Sequence, residues 1–259
     1  MSQSLERGLT ALTELAEGPH TLDQLAEAIG VHKSTALRLL RTLEANRFVR
    51  RADAHHYRLG SALFDLANRA LEDIDVRDAA RAHIVELGAK TGHTIHLATF
   101  EDDQVVYVDK VDSRHPVRMY SRVGRRAPVH CTAVGKAMVA NWPQDQREEL
   151  AHRLSYPKLT TSTITSAEDF LAELDRVHQR GYAVDRSEHE DFIHCIGAPV
   201  LDSRGGTAAA VSLSAPKVVL DFDELIALVD DLLRTTSAVA AELGWQGAHQ
   251  DSHDGKEER

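Results

Sequence analysis

The sequence predicts an α+β chain in two parts: an N-terminal winged helix-turn-helix and a C-terminal antiparallel sheet with packed helices. Three observations carry this. Residues 21–45, TLDQLAEAIGVHKSTALRLLRTLEA, read as two short amphipathic helices broken at Gly30. Two short extended runs rich in arginine follow directly. Beyond residue 75, strand-like and helix-like segments interleave up to residue 243, the pattern of a sheet with helices packed on it.

The N-terminal elements follow one by one. Residues 4–16 carry a helical apolar stripe, Leu5, Leu9, Leu12 and Ala16, stopped by Gly18-Pro19. Thr21 and Gln24 fit a capping box that opens a second helix. Its buried stripe is Leu22, Leu25, Ala26 and Ile29. Gly30 can take positive φ and turn the chain sharply. A third helix is expected from about His32 to Ala45, although His32 is a poor cap. Phe48–Arg51 and His55–Gly60, around a polar turn at 52–54, read as a hairpin wing. Residues 61–71, SALFDLANRAL, form another amphipathic helix, and the acidic run 72–75 links it to a second domain.

In the second part, residues 76–90 are helical, with Ala80, Ile84 and Leu87 on one face. Strands are expected at 95–100, 105–111 and 117–120, with turns at 101–103 and 112–113. Helices follow at 132–141, after Pro143, and at 166–180, the last ended by Gly181. Strands at 182–185, 193–201 and 207–215 precede a final helix over 221–243. The division is therefore 1–60 (winged helix-turn-helix), 61–75 (linker helix), 76–245 (sheet domain) and 246–259 (a polar, disordered tail).

Composition bounds the function. The net charge is −10 at neutral pH, but residues 1–60 hold eight Lys/Arg against seven Asp/Glu. The acidity belongs to the remainder. A nucleic-acid-binding protein needs positive charge only on the face that meets phosphate. No apolar run approaches the ~18 residues of a membrane span. The N-terminus lacks the basic start and apolar stretch of a signal peptide, so the expectation is a cytoplasmic protein without membrane contact. Cys131 and Cys195 are the only cysteines, too few for a disulfide framework or a cysteine-rich zinc site.

The third helix separates two faces. Ala36, Leu39, Leu40 and Leu43 lie within roughly 100° of arc, while Ser34, Arg38, Arg41 and Ala45 lie opposite. Small and basic outer residues suit the DNA major groove. Arginine can bond guanine in bidentate fashion, worth ~1–3 kcal/mol of discrimination. Lys33, Ser34 and Thr35, at the helix start, suit phosphate. Arg50, Arg51 and Arg58 on the wing can reach flanking backbone or minor groove. The competing reading is a solvated helix whose arginines only keep it soluble. The expected partner is double-stranded DNA.

At this point the chain resembles the IclR family of bacterial transcriptional regulators. The matching segments are SLERGLTALTELAEG with TLDQLAEAIGVHKSTALRLLRTLEANRFVRR and YRLG, then RVGRRAPVHCTAVGKAMVA, then GYAVDRSEHEDFIHCIGAPVLDSRGGTAAAVSLSAP. The resemblance implies a linker helix that dimerises and a C-terminal GAF-like effector domain. It implies a homodimer or homotetramer, needing no cofactor, that acts on operator DNA and answers to a small-molecule effector such as a carboxylate or aromatic acid. It also implies a pocket built from Ala127, Ala133, Val134, Asp185, Cys195, Ser212 and Ser214, with Met119 as an apolar wall.

The residue chemistry fits that pocket. Amides at a helix start near Ala133 and Val134 can bind a carboxylate. Ser212 and Ser214, two apart on a strand, share one face, though they would face solvent if Val211 and Leu213 alone faced the core. Asp185 can accept a ligand hydroxyl or serve as a turn residue. Gly135-Lys136 lacks the rest of a phosphate-binding loop, and Gly135 is read as permitting close helix packing.

Two alternatives compete. Cys131 beside His130 and Cys195 beside His194 could support a thiol-dependent enzyme or redox sensor, but sequence neighbours on a strand point to opposite faces. Asp185, Glu188, His189, Glu190, His194 and Cys195 are dense in metal-ligand types without fixed tetrahedral spacing. Neither catalytic residues nor a bound metal is expected.

Overall fold

The computed structural model describes residues 3–66, 75–116 and 121–247. The chain divides into two compact units after residue 73.

In the first unit, α1 (Gln3–Ala16), α2 (Leu22–Ala28) and α3 (Lys33–Ala45) precede the wing strands β2 (Val49–Arg51) and β3 (His56–Leu59). The capping box forms as expected: Thr21 accepts from the Gln24 amide, and Gln24 reaches back to the Thr21 amide at 2.8 Å. Gly30 takes φ +63° at the helix-turn-helix corner. Leu15, Leu25, Leu40, Val49 and Tyr57 form the core that holds helices and wing together. One element was not expected. Residues His20–Thr21 (β1) pair with β3, so the wing is a three-stranded sheet in the order β1-β3-β2. Two residues are too short for an alternating pattern to be visible in sequence. Residues 62–66 are helical, the start of the expected linker helix. The rest of that helix, the expected strand 117–120, the wall residue Met119 and the tail from 248 lie outside the described residues.

The second unit opens with α4 (Val76–Thr91), capped by Asp75 and closed by Gly92 at φ +76°. Its six-stranded sheet has the order β6-β5-β4-β9-β8-β7, every neighbouring pair antiparallel. The strands are β4 (Thr94–Glu101), β5 (Gln104–Val111), β6 (Arg126–Ala127), β7 (Ala183–Arg186), β8 (Ile193–Leu201) and β9 (Thr207–Pro216). Helices α5 (Ala133–Val139), α6 (Gln144–Arg153) and α7 (Ala167–Arg180) precede β7, and α8 (Phe222–Ile226) and α9 (Val229–Glu242) follow β9. The expected single helix over 221–243 is therefore two. The Leu228 amide bonds the Leu225 carbonyl, three residues back, and Leu228 leaves the helical well at φ −91°, ψ 2° before Val229 restarts the helix.

Both faces of the sheet are covered. Ile95, Leu97, Ile196, Val211 and Leu213 share one core with Ile84 and Leu87 of α4 and Leu232 and Val239 of α9. Ala98 and Ala210 point the other way, into a core with Val134 and Met138 of α5 and Phe170 and Leu174 of α7. The period of two that sends Val211 and Leu213 to the first core sends Ser212 and Ser214 to the second face.

Candidate functional site

The second face carries a polar strip across four strands. Thr94, Ser214, Cys195 and Asp185 lie in register on β4, β9, β8 and β7. One rung along, His96 stands opposite Ser212, and Ser212 opposite Gly197. All six side-chain-bearing members are buried. Buried polar groups carry a large penalty unless they are satisfied or serve a ligand.

Helix α5 lies over this strip because Gly197 has no side chain. A Cβ there would sit 2.7 Å from the carbonyl carbon of Ala133. Gly135 does the same on the other side, where a Cβ would meet the Val129 oxygen at 2.6 Å, so it serves close packing as expected. Thr132 caps α5, accepting from the Gly135 amide at 3.3 Å and donating to the Pro128 carbonyl at 2.8 Å. Ala133 and Val134 are thereby set against the strip.

Between helix and strip is a narrow cavity lined by Thr132, Ala133, Val134, Asp185, Cys195, Ser212 and Ser214, together with Tyr107, His189, Glu190 and Ile193. The space open to a water centre is about 20 Å³, room for about one water molecule. Six of the eight expected effector residues come together here. Ala127 does not. It lies on β6, at the opposite edge of the sheet from β7, paired with Val105 and packed in the apolar core. In sequence Thr132 marks only a helix start, and His189 and Glu190 stand out only as metal-ligand types. Tyr107 becomes legible only through the β4–β5 pairing, which sets it opposite Ala98.

Electrostatics mark the same place. Burial, reinforced by the neighbouring Glu188 carboxylate, raises the Asp185 carboxyl to about 7. Its Oδ1 accepts from the amides of Glu188 (2.7 Å) and His189 (3.4 Å). Burial also lowers His189. Cys131 is raised to about 12 and Cys195 well above its ordinary value, both chiefly by burial. Burial thus disfavours the thiolate of both, the form that acts as a nucleophile. The suspected metal cluster is also spent otherwise: the Glu188 carboxylate takes the Lys136 ammonium at 2.6 Å, and His194 Nδ1 lies 3.3 Å from the Ser187 hydroxyl. Among the described residues no group of three or more His, Cys, Asp or Glu could hold a metal ion.

In the first unit, α3 buries Ala36 and Leu40, half-buries Leu39 and Leu43, and exposes Ser34, Arg38, Arg41 and Ala45. Thr35 is half-buried, and His32 caps the helix without a side-chain bond. Among the described residues the guanidinium groups of Arg38, Arg41, Arg50 and Arg58 have no ion pair. Arg50 and Arg58 face each other on β2 and β3, so their charges reinforce one field. Lys33 and Arg51, both exposed, carry partners within the chain. Lys33 pairs with Asp23 at 2.7 Å, and Arg51 lies 5.0 Å over the Tyr57 ring and donates to its hydroxyl at 3.1 Å. Arg51 therefore braces the wing.

Residues 4–53 match the IclR helix-turn-helix domain, and residues 68–241 match the family described as bacterial transcriptional regulator IclR C-terminal. The chain belongs to the IclR family. The HTH-type transcriptional regulator KdgR of Escherichia coli (strain K12) is 34% identical, with 86% of each chain covered. The transcriptional repressor IclR of the same strain is 30% identical over 83% of this chain and 80% of its own. Among solved structures, Pseudomonas aeruginosa HmgR aligns with a TM-score of 0.76 at 26% identity, covering 95% of this chain and 99% of that one. As an IclR-family member the chain is a DNA-binding transcriptional regulator, and its exposed arginine face sits on the helix-turn-helix that the match covers. No helix among the described residues is long and apolar enough to cross a membrane.

Proposed function

We propose that this IclR-family regulator is a cytoplasmic repressor whose operator affinity is set by a small, hydroxyl-bearing carboxylate in the cavity under α5. The observation that carries this is the convergence of Ser212, Ser214, Thr132 and Asp185 on one enclosed space. Hydroxyls and an Asp185 that holds its proton up to about pH 7 supply donors to a carboxylate and acceptors to ligand hydroxyls. With Tyr107 and the His189 imidazole as the aromatic rings in a narrow, polar lining, a bulky aromatic acid fits less well. The cavity must open to admit any such ligand, so binding favours one arrangement of the domain over another, as coupling to DNA affinity requires.

Arg38 and Arg41 read bases, while Ser34, Thr35, Arg50 and Arg58 meet backbone. The working form is a homodimer or homotetramer. Phe64 and Leu66, 71% and 53% exposed on the helix after the wing, favour self-association. The test is a thermal-shift panel of lactate, glycerate, gluconate, benzoate and glycerol. A binder at a hundredfold excess over its Kd adds about 2.7 kcal/mol, or several °C. A shift from glycerate or gluconate but not benzoate supports the reading. A shift from benzoate alone overturns the ligand class.

A further inference from the structure

The turn between β7 and β8 supplies His189 and Glu190 to the cavity, and it is held from three directions at Glu188. From α5, the Lys136 ammonium lies 2.6 Å from both Glu188 carboxylate oxygens. From β7, Asp185 accepts the Glu188 amide at 2.7 Å. From the segment before α7, the Thr163 hydroxyl donates to the Glu188 carbonyl at 2.7 Å, and the Thr160 hydroxyl donates to the Ser187 carbonyl at 2.7 Å. Lys136 is fully buried, and Glu188 is 8% exposed. Lys136 also lies 3.8 Å from Glu173, which Arg176 and Arg180 neutralise from the surface side of α7. Ser187 sits at φ +62°, a conformation a non-glycine residue keeps only when its surroundings enforce it.

A buried lysine–glutamate pair is weak evidence for stability, because desolvation offsets most of its attraction. Replacing the pair by apolar residues of similar size is often tolerated. Its geometric effect is more specific. We infer that Lys136 and Glu188 are positioning residues of the effector site: their pair pins the turn 187–190 so that His189 and Glu190 close the cavity over Cys195. The inference rests on the cavity being the effector site. It assigns the lysine after Gly135 a role in holding the cavity wall, without contact to ligand.

Cys195 lines the cavity and is 8% exposed, so its conversion to a methyl disulfide by a thiosulfonate, with methanesulfinate leaving, reports opening without any ligand. Methyl methanethiosulfonate is added to the full chain, and mass spectrometry separates Cys131 from Cys195. Lys136→Met, Glu188→Gln and the paired Lys136→Met/Glu188→Leu are compared with Leu174→Ala, which weakens the core with the pin intact. The paired variant removes the pin without stranding a charge, so it stays informative if the single variants fail to fold. Its Cys195 is expected to react at least about tenfold faster than in the wild type, with Cys131 nearly unchanged, as local opening requires. A folded paired variant with an unchanged Cys195 rate overturns the inference. So does equal acceleration of both cysteines, matching what Leu174→Ala shows at the same loss of Tm. Gluconate and glycerate are then added to the wild type. Faster Cys195 labelling in the variant with no protection by either compound leaves the pin standing and overturns the proposed ligand class.

Discussion

Asp185 and Cys195 stand directly opposite each other across the β7–β8 ladder, and both side chains line the cavity under α5. Burial raises both groups, and the Asp185 carboxylate pushes the Cys195 thiol further up. Below about pH 7 both members of the pair are protonated and neutral.

That arrangement makes stability depend on pH in a specific direction. The unfolded Asp titrates near 3.9, whereas folded Asp185 holds its proton to about 7. Its favourable contribution is full below pH ~4 and declines as pH rises to 7. Asp185→Asn keeps an oxygen to accept the Glu188 amide and removes the titration. The variant should gain on the wild type between pH 4 and 7, by on the order of 4 kcal/mol at most. Urea denaturation across that range checks it, and parallel curves for the two proteins would count against a raised Asp185.

The DNA face separates base reading from positioning. Arg38→Ala and Arg41→Ala should each cost ~1–3 kcal/mol of operator affinity and relax specificity at one base pair. Arg50→Ala and Arg58→Ala should weaken all duplexes alike and reduce the salt slope by ~1 each. Fluorescence anisotropy at several salt concentrations distinguishes the two classes, with Tm unchanged in all four.

Arg51→Ala should behave differently. Its stacking on Tyr57 and its bond to the Tyr57 hydroxyl belong to the fold. The expected result is a stability loss of ~0.5–1 kcal/mol. Calorimetry of the variant without DNA measures it.

Gly197→Ala tests the seating of α5. The added methyl would lie 2.7 Å from backbone of Ala133, which has no flexible end to move aside. Overpacking of this kind costs typically ~1–3 kcal/mol. The variant should also lose thermal shifts with any cavity ligand, because Ala133 and Val134 move with the helix.

Most of this architecture was legible in the sequence because it rests on local rules. The Thr21/Gln24 box, the Gly30 corner and the apolar stripe of α3 are each written within a few residues. The cavity was legible in part. Ser212 and Ser214 could be assigned to one face by period alone, but whether that face met solvent depended on α5, whose seating requires Gly197 on a different strand. Asp185, Cys195, Ser214 and Thr94 align only through the order β7-β8-β9-β4, a non-local pairing. Ala127 lies away from this cavity for the same reason, since nothing near it in sequence shows that β6 is the far edge. Lys136 and Glu188 are 52 residues apart, and their pairing left no local trace.

The most direct measurement is the operator Kd of the full chain, on a duplex selected from a random library, with and without a saturating amount of the compound that most raises Tm. It is made for the wild type and for Ser212→Ala/Ser214→Ala. Control of DNA binding from the cavity predicts a change of at least about fivefold in the wild type and little or none in the double variant at the same concentration. An unchanged wild-type Kd at saturation, or an equal response in the double variant, would contradict it.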